Sequence, residues 1–203
     1  MQWSQTYGGV YSDYASALIQ TTDGGYALAG GTGLYDPRGS DYWLVKTDSN
    51  GTAQWNQTYR GKEDDEARTL ALIQTTDGGY ALAGGTSSYG AGGSDFWLVK
   101  TDSQGIPQWN QTYGGVRNDY AEALIQTTDG GYALAGRTGS FGAGRSDFWL
   151  VKTDGSTFPI TSTKMDGLAV LITVLWYLAI VVSGSSVGLL ASRLIYRRYN
   201  KWR

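Results

Sequence analysis

Apolar and polar positions alternate over short runs through most of the chain, and the alternation returns three times. In Asp41–Thr47 (DYWLVKT), Trp43, Val45 and Thr47 recur with period two while Leu44 and Lys46 occupy the other set, the spacing of a half-buried strand. Copies follow at Asp95–Thr101 and at 147–153. Before each comes a shorter apolar run, 26–29 and its copies 80–83 and 132–135, whose small alanines leave room for a neighbouring sheet. A further short strand is predicted ahead of that at 15–20, 69–74 and 121–126, joined to it by Thr-Thr-Asp-Gly-Gly, whose Asp and Gly types let a chain reverse between antiparallel strands. After the DYWLVKT-type run, Asp48-Ser49-Asn50-Gly51 and Asp102-Ser103-Gln104-Gly105 turn into a fourth strand, WNQTY at 55–59 and 109–113, with WSQTY at 3–7.

Four short strands in a unit of about 53 residues make one meandering antiparallel blade, so the fold class expected is an all-β, propeller-like repeat. Asp23, Asp77 and Asp129 are 54 and 52 residues apart, and Trp43, Trp97 and Trp149 keep the same spacings. The recurring Trp3, Trp43, Trp55, Trp97, Trp109 and Trp149 are expected to pack between neighbouring blades, because each interface must solve the same packing problem. The repeats occupy 1–154, and 155–167 reads as a linker rich in Ser, Thr and Pro near its start.

WSQTY at 3–7 is a surplus fourth strand, and the third repeat has only three strands at Asp154. Residues 3–7 are therefore expected to complete the last blade by circular closure, hiding both sheet edges. Three blades fall short of the roughly four to eight of an ordinary closed propeller. The leading expectation is a remnant of a longer protein; the alternatives are closure by homo-oligomerisation, for instance two chains with six blades, and an open arc or β-solenoid.

The motifs at 21–29, 40–48 and 55–59, with their copies, resemble the TTDGGY and SDFWLVKTD repeats of secreted or surface-bound β-propeller proteins of archaea and bacteria. The resemblance covers about residues 1–154 and implies a propeller on the outside of a cell. Thr21, Asp23, Gly25 and Leu28 also look like a degenerate Asp-box, with leucine where that box carries its terminal aromatic. In those families the box shapes a turn and performs no chemistry.

Composition changes the picture at two points. With no histidine and no cysteine, the commonest zinc, copper and haem ligands and the Cys or Ser/His nucleophile systems are excluded, as are disulfides. The net charge of -2 hides a division: residues 1–167 hold 11 Lys+Arg and 18 Asp+Glu, while Arg193, Arg197, Arg198, Lys201 and Arg203 end the chain. An acidic repeat region is a poor partner for the phosphate backbone, so nucleic acid is not expected.

Residues 168–192 are 25 consecutive positions without a formal charge, longer than the roughly 20 needed to cross a bilayer as a helix. Gly184 and Gly188 stand in G-x-x-x-G spacing within it. The basic tail 193–203 places the C-terminus in the cytoplasm and the repeats outside, as a single-pass cell-membrane protein. Residues 1–25 show no signal peptide, so a leader upstream is expected; cytosolic repeats on a tail anchor would instead send five positive charges across the membrane.

Candidate chemistry is sparse, and no catalytic, cofactor-binding or metal residue is assigned. Asp23, Asp77 and Asp129, and likewise Asp41, Asp95 and Asp147, recur once per blade beside Gly or Ser, which points to turn hydrogen bonding. KEDDE at 62–66 reads as a solvated charged turn. Asp48-Ser49-Asn50-Gly51 lacks the full twelve-position spacing of a calcium loop. The positions that break the repeat, Asp36-Pro37-Arg38 and Arg145, fall in loops with no paired acid and nucleophile. Asn56 and Asn110 head N-x-T sequons. The loops 33–40, 87–94 and 139–146 vary most within the core motif and are where a surface protein or glycan would bind. The function expected is a non-catalytic module for interaction, adhesion or envelope structure; the alternative is a sialidase-like or other polysaccharide hydrolase using loop carboxylates.

Overall fold

Three antiparallel sheets follow one another along the chain, each built from one copy of the repeat. The computed structural model describes residues 2–33, 40–63, 65 and 70–154. The first sheet is the meander β1 (Asp13–Gln20), β2 (Tyr26–Thr32), β3 (Asp41–Thr47), β4 (Ala53–Tyr59). The second repeats it with β5 (Ala71–Gln74), β6 (Tyr80–Thr86), β7 (Asp95–Thr101) and β8 (Pro107–Tyr113). The third has β9 (Asp119–Gln126), β10 (Tyr132–Thr138) and β11 (Asp147–Lys152), with β11 at one edge. Registers match across copies: Leu28 faces Val45, Leu82 faces Val99 and Leu134 faces Val151. This is an all-β, propeller-like repeat arrangement.

The two glycines of each Asp-Gly-Gly turn serve different needs. Gly24, Gly78 and Gly130 sit at φ of +83°, +81° and +82°, where a side chain is strained. Gly25, Gly79 and Gly131 come so close to the neighbouring strand that a Cβ would lie 2.1, 2.1 and 2.0 Å from the carbonyl oxygens of Thr47, Thr101 and Thr153. The second strands run on to Thr32, Thr86 and Thr138, beyond the 26–29 pattern and its copies. Glycine there is not the start of the loop. In the first and third sheets it lets a bulged first strand approach, since a Cβ on Gly30 would meet Tyr14 O at 1.8 Å and one on Gly136 would meet Tyr120 O at 2.0 Å.

The sheets stack face on face, and alternation decides which residues enter the two interfaces. Tyr42, Leu44, Leu70, Leu72, Leu82, Trp97 and Val99 lie buried between the first and second sheets, and Ala81, Ala83, Phe96, Leu98, Leu124 and Leu134 between the second and third. Each fully buried large apolar side chain contributes about 1.5–3 kcal/mol relative to exposure. Four of the six tryptophans pack across these interfaces as expected: Trp97 lies 4.8 Å from Tyr42, Trp149 4.8 Å from Phe96, Trp55 5.6 Å from Tyr80 and Trp109 5.7 Å from Tyr132, centroid to centroid. Trp43 instead lines a hollow on the first sheet, and Trp3 lies against Tyr26 of that sheet.

Circular closure inside the chain is corrected. Residues 3–7 carry no strand assignment and pair with no strand of the third sheet. They lie against the first: Trp3 is 5.9 Å from Tyr26, and Tyr7 Oη donates to Gly51 O at 2.5 Å. The physical reason is the same aromatic match that seats β4 on the second sheet, with Trp55 against Tyr80 and Tyr59 Oη donating to Gly105 O at 2.8 Å. The expected linker, membrane segment and basic tail at 155–203 lie outside the described residues. Among the described residues no helix is long and apolar enough to cross a membrane.

Candidate functional site

The recurrent carboxylates fall into two sets with different surroundings. Asp23 holds its own turn: Thr21 Oγ1 donates to it at 2.5 Å and Gly25 N at 3.1 Å. Lys46, from the facing strand pair, reaches back with Nζ to Asp23 Oδ2 at 2.8 Å, Thr47 O at 2.7 Å and Gln54 Oε1 at 3.0 Å. Asp77, Thr75, Gly79, Lys100 and Gln108 repeat the arrangement. In the third sheet Lys152 bonds Asp129 at 2.6 Å. The Lys46 hydrogen bond, helped by Thr21 and Gly25, holds the Asp23 carboxyl far below the usual carboxylate range. Burial acts against Asp77, but the bonds from Lys100, Thr75 and Gly79 outweigh it and lower the pKa to about 2. Carboxylates so held are ionised and fully engaged, poor proton donors for hydrolysis.

Beside the first of these ion pairs, the junction of the first two sheets opens into a cleft of about 530 Å³. Asp23, Lys46, Gln54, Trp55, Gln74 and Gln104 line it, an ion pair and three amides around an indole edge. Gln74 Oε1 accepts from Thr22 N at 2.9 Å, tying the second sheet to the first turn. Tyr80, also in the lining, has its phenol pushed up to about 12 by burial and by the Asp23 charge. The lining thus offers hydrogen-bonding amides, an ion pair and aromatic surface side by side.

The second set lies at the start of the first and third strands. KEDDE at 62–66 is corrected at one residue: Asp65 is fully buried, not solvated. It accepts from Gly61 N at 2.6 Å and from Thr86 Oγ1, and burial pushes its carboxyl up. Asp119 repeats it, accepting from Gly115 N at 2.9 Å, from Ser140 Oγ at 2.7 Å and from Thr138 Oγ1. In sequence this set is visible only as Gly-x-x-x-Asp, at Gly9 and Asp13, Gly61 and Asp65, and Gly115 and Asp119. Asp95 is also buried; Ala91 N and Gly92 N donate to its Oδ2, while its Oδ1 has no hydrogen-bond partner among the described residues. A Cβ on Gly114 would lie 1.7 Å from that oxygen and 2.9 Å from Asp119 Oδ2, which brings the two carboxyl groups together. Burial first, and the Asp119 charge beside it, push the Asp95 carboxyl up; Asp119 is lowered, its hydrogen bonds from Thr138, Ser140 and Gly115 overcoming burial. A pair with split affinities is a pattern of acid–base work, but here both carboxyls are buried.

The other sequence candidates are dispersed. Asp48 caps its turn through Asn50 N and Thr52 N at 2.9 and 2.8 Å. Among the described residues no group of three or more Asp or Glu is placed to hold a metal ion. The sequon residues Asn56 and Asn110 accept from the indole N–H of Trp43 and Trp97 at 3.2 and 3.1 Å. Of the variable loops, 34–39 lies outside the described residues. In the other two, Tyr89 and Phe141 are about half exposed and lie tilted against Trp97 and Trp149, with ring centroids 5.5 and 5.0 Å apart. No protein-family model and no curated protein matches the chain.

Proposed function

We propose that this chain is a membrane-anchored, cell-surface module that binds a surface protein or glycan, or builds envelope structure, without catalysing a reaction. The observation that carries the reading is the use of the carboxylates: Asp23, Asp77 and Asp129 are each bound by a lysine and a turn, and Asp65, Asp95 and Asp119 are buried. Binding is assigned to the half-exposed aromatics of the loops 87–94 and 139–146, with Tyr89 and Phe141 as stacking platforms, and to the loop 33–40. The charge-free run at 168–192 and the basic residues after it support anchoring with the repeats outside.

The test is a glycan-array and polysaccharide-hydrolysis screen of the full chain in detergent. Retention without turnover, weakened by Tyr89→Ala or Phe141→Ala, is expected. Turnover abolished by changing one acidic residue would replace this reading with the hydrolase one.

A further inference from the structure

The junction between sheets occurs twice inside the chain, and its two halves stand unfilled on the outer faces of the first and third sheets. Tyr42 of the first sheet and Phe96 of the second are completely buried plugs, set against Trp97 and Trp149. Tyr42 sits over Gly84, where a Cβ would lie 2.4 Å from its Oη, and donates to Gly85 O at 3.1 Å. Leu44 and Leu98, two residues on, are also fully buried. Their counterparts Phe148 and Leu150 are 101% and 69% exposed, a degree of apolar exposure that marks an interaction surface. The socket is open at the opposite face: Trp43, Gly30, Leu28 and Tyr14 line a hollow where Trp97 and Gly84 receive Tyr42 one sheet later. Leu18 beside it is 62% exposed, while Leu72 and Leu124 in the filled junctions are 6% exposed.

Backbone placement agrees. Residues 3–7 lie on the first sheet where β4 lies on the second, but β4 also pairs with β3, and residues 3–7 pair with no described strand. Among the described residues β11 pairs only with β10, and its other edge is the one that such a segment would join. We propose that a second copy of this chain completes both halves. Phe148 of one copy enters the hollow at Trp43 and Gly30 of the other, and residues 3–7 of that other copy add to β11 as its fourth strand. The internal pairs Tyr42 with Tyr59 and Leu44 with Gln57 set the register, placing Phe148 opposite Tyr7 and Leu150 opposite Gln5. The contact is heterologous, plug to socket, so two copies close a ring when each uses both faces, giving six sheets. This inference is independent of the surface role proposed above.

The test uses the detergent-solubilised full chain. Light scattering should give a dimer, and oxidation of the double variant Gln5→Cys, Leu150→Cys should yield a covalent dimer that neither single variant forms, since directly opposed strand residues have disulfide spacing. Phe148→Asp should give a monomer that stays folded, because within its own chain that side chain is fully exposed and only the contact with the second copy is lost. A monomeric wild type, a 5–150 disulfide formed within one chain, or a dimer that survives Phe148→Asp and never cross-links would each overturn the proposal.

Discussion

Lys46, Lys100 and Lys152 carry the same sequence context and the same bonds to an Asp and a backbone carbonyl, but not the same burial: their side chains are 5%, 5% and 44% exposed. Desolvation raises the cost of leaving a partner unsatisfied. Lys100→Met should therefore cost about 1–3 kcal/mol, mostly from the abandoned Thr101 carbonyl and Gln108 amide, whereas Lys152→Met should cost less than about 1 kcal/mol. Chemical denaturation of the two variants checks this; equal losses would mean that burial plays no part. Asp95 gives a pH dependence of definite sign. Its folded affinity for the proton is raised by burial and by Asp119, so the stability it contributes is fully present below its unfolded value of about pH 4 and is lost as pH rises through the folded value. Asp95→Asn carries no charge at any pH and retains a donor for Asp119. It should melt higher than the wild type at pH 8, by roughly 2–4 °C for a gain on the order of 1 kcal/mol, with the advantage fading toward pH 4. A variant less stable than wild type at pH 8 would show that the two carboxyls do not oppose each other. In the sequence, Asp23 and its copies were legible as turn residues because Asp-Gly-Gly is local. The buried Asp65 was not: it sits among four other charged residues, and only the strand brought in by the fold removes it from water.

The strands themselves were legible where side-chain alternation is strong, as in β3, β7 and β11, and less so where glycine and alanine dominate. In β2, Gly30 and Gly31 read as the end of a strand because they lack side chains to alternate, yet the ladder continues to Thr32. The Asp-Gly-Gly turns allow the two roles of glycine to be separated. Around Gly78 there is open space, so Gly78→Ala pays only for its left-handed backbone, about 1 kcal/mol. At Gly79 the Cβ would meet Thr101 O at 2.1 Å, and the strand pair must part to admit it. Gly79→Ala should thus be the more damaging of the two, by a further 1–3 kcal/mol or about that, the range of an overpacked site. Thermal melts of both variants decide it, and a larger loss at Gly78 would mean that the backbone conformation, not the close approach, governs the turn.

At the scale of the whole molecule, repetition made the architecture readable before any single strand was, because three copies of one pattern must bury the same face in the same way. What repetition did not reveal is which sheet residues 3–7 would join. As a free strand they match the open edge of the third sheet, but Trp3 and Tyr7 carry the contacts that seat a fourth strand on the following sheet, here the first. Anchoring is a separate matter, resting on residues 168–192 and the five basic residues beyond them. Taking even one ionised side chain through the bilayer centre costs about 2.5–3.5 kcal/mol on insertion scales, so under the proposed anchoring a flank of five is expected on the cytoplasmic side of the uncharged run. The chain has no cysteine, which makes labelling unambiguous. A single cysteine at Ser87, exposed in the second variable loop, should react with a membrane-impermeant thiol reagent on intact cells. One at Tyr199 should react only after the membrane is opened, and the protein should stay with the membrane through alkaline extraction. Labelling of position 199 with protection of position 87 would reverse the orientation, and release by alkali would remove the anchor altogether, leaving the repeats to reach a surface by their exposed apolar faces alone.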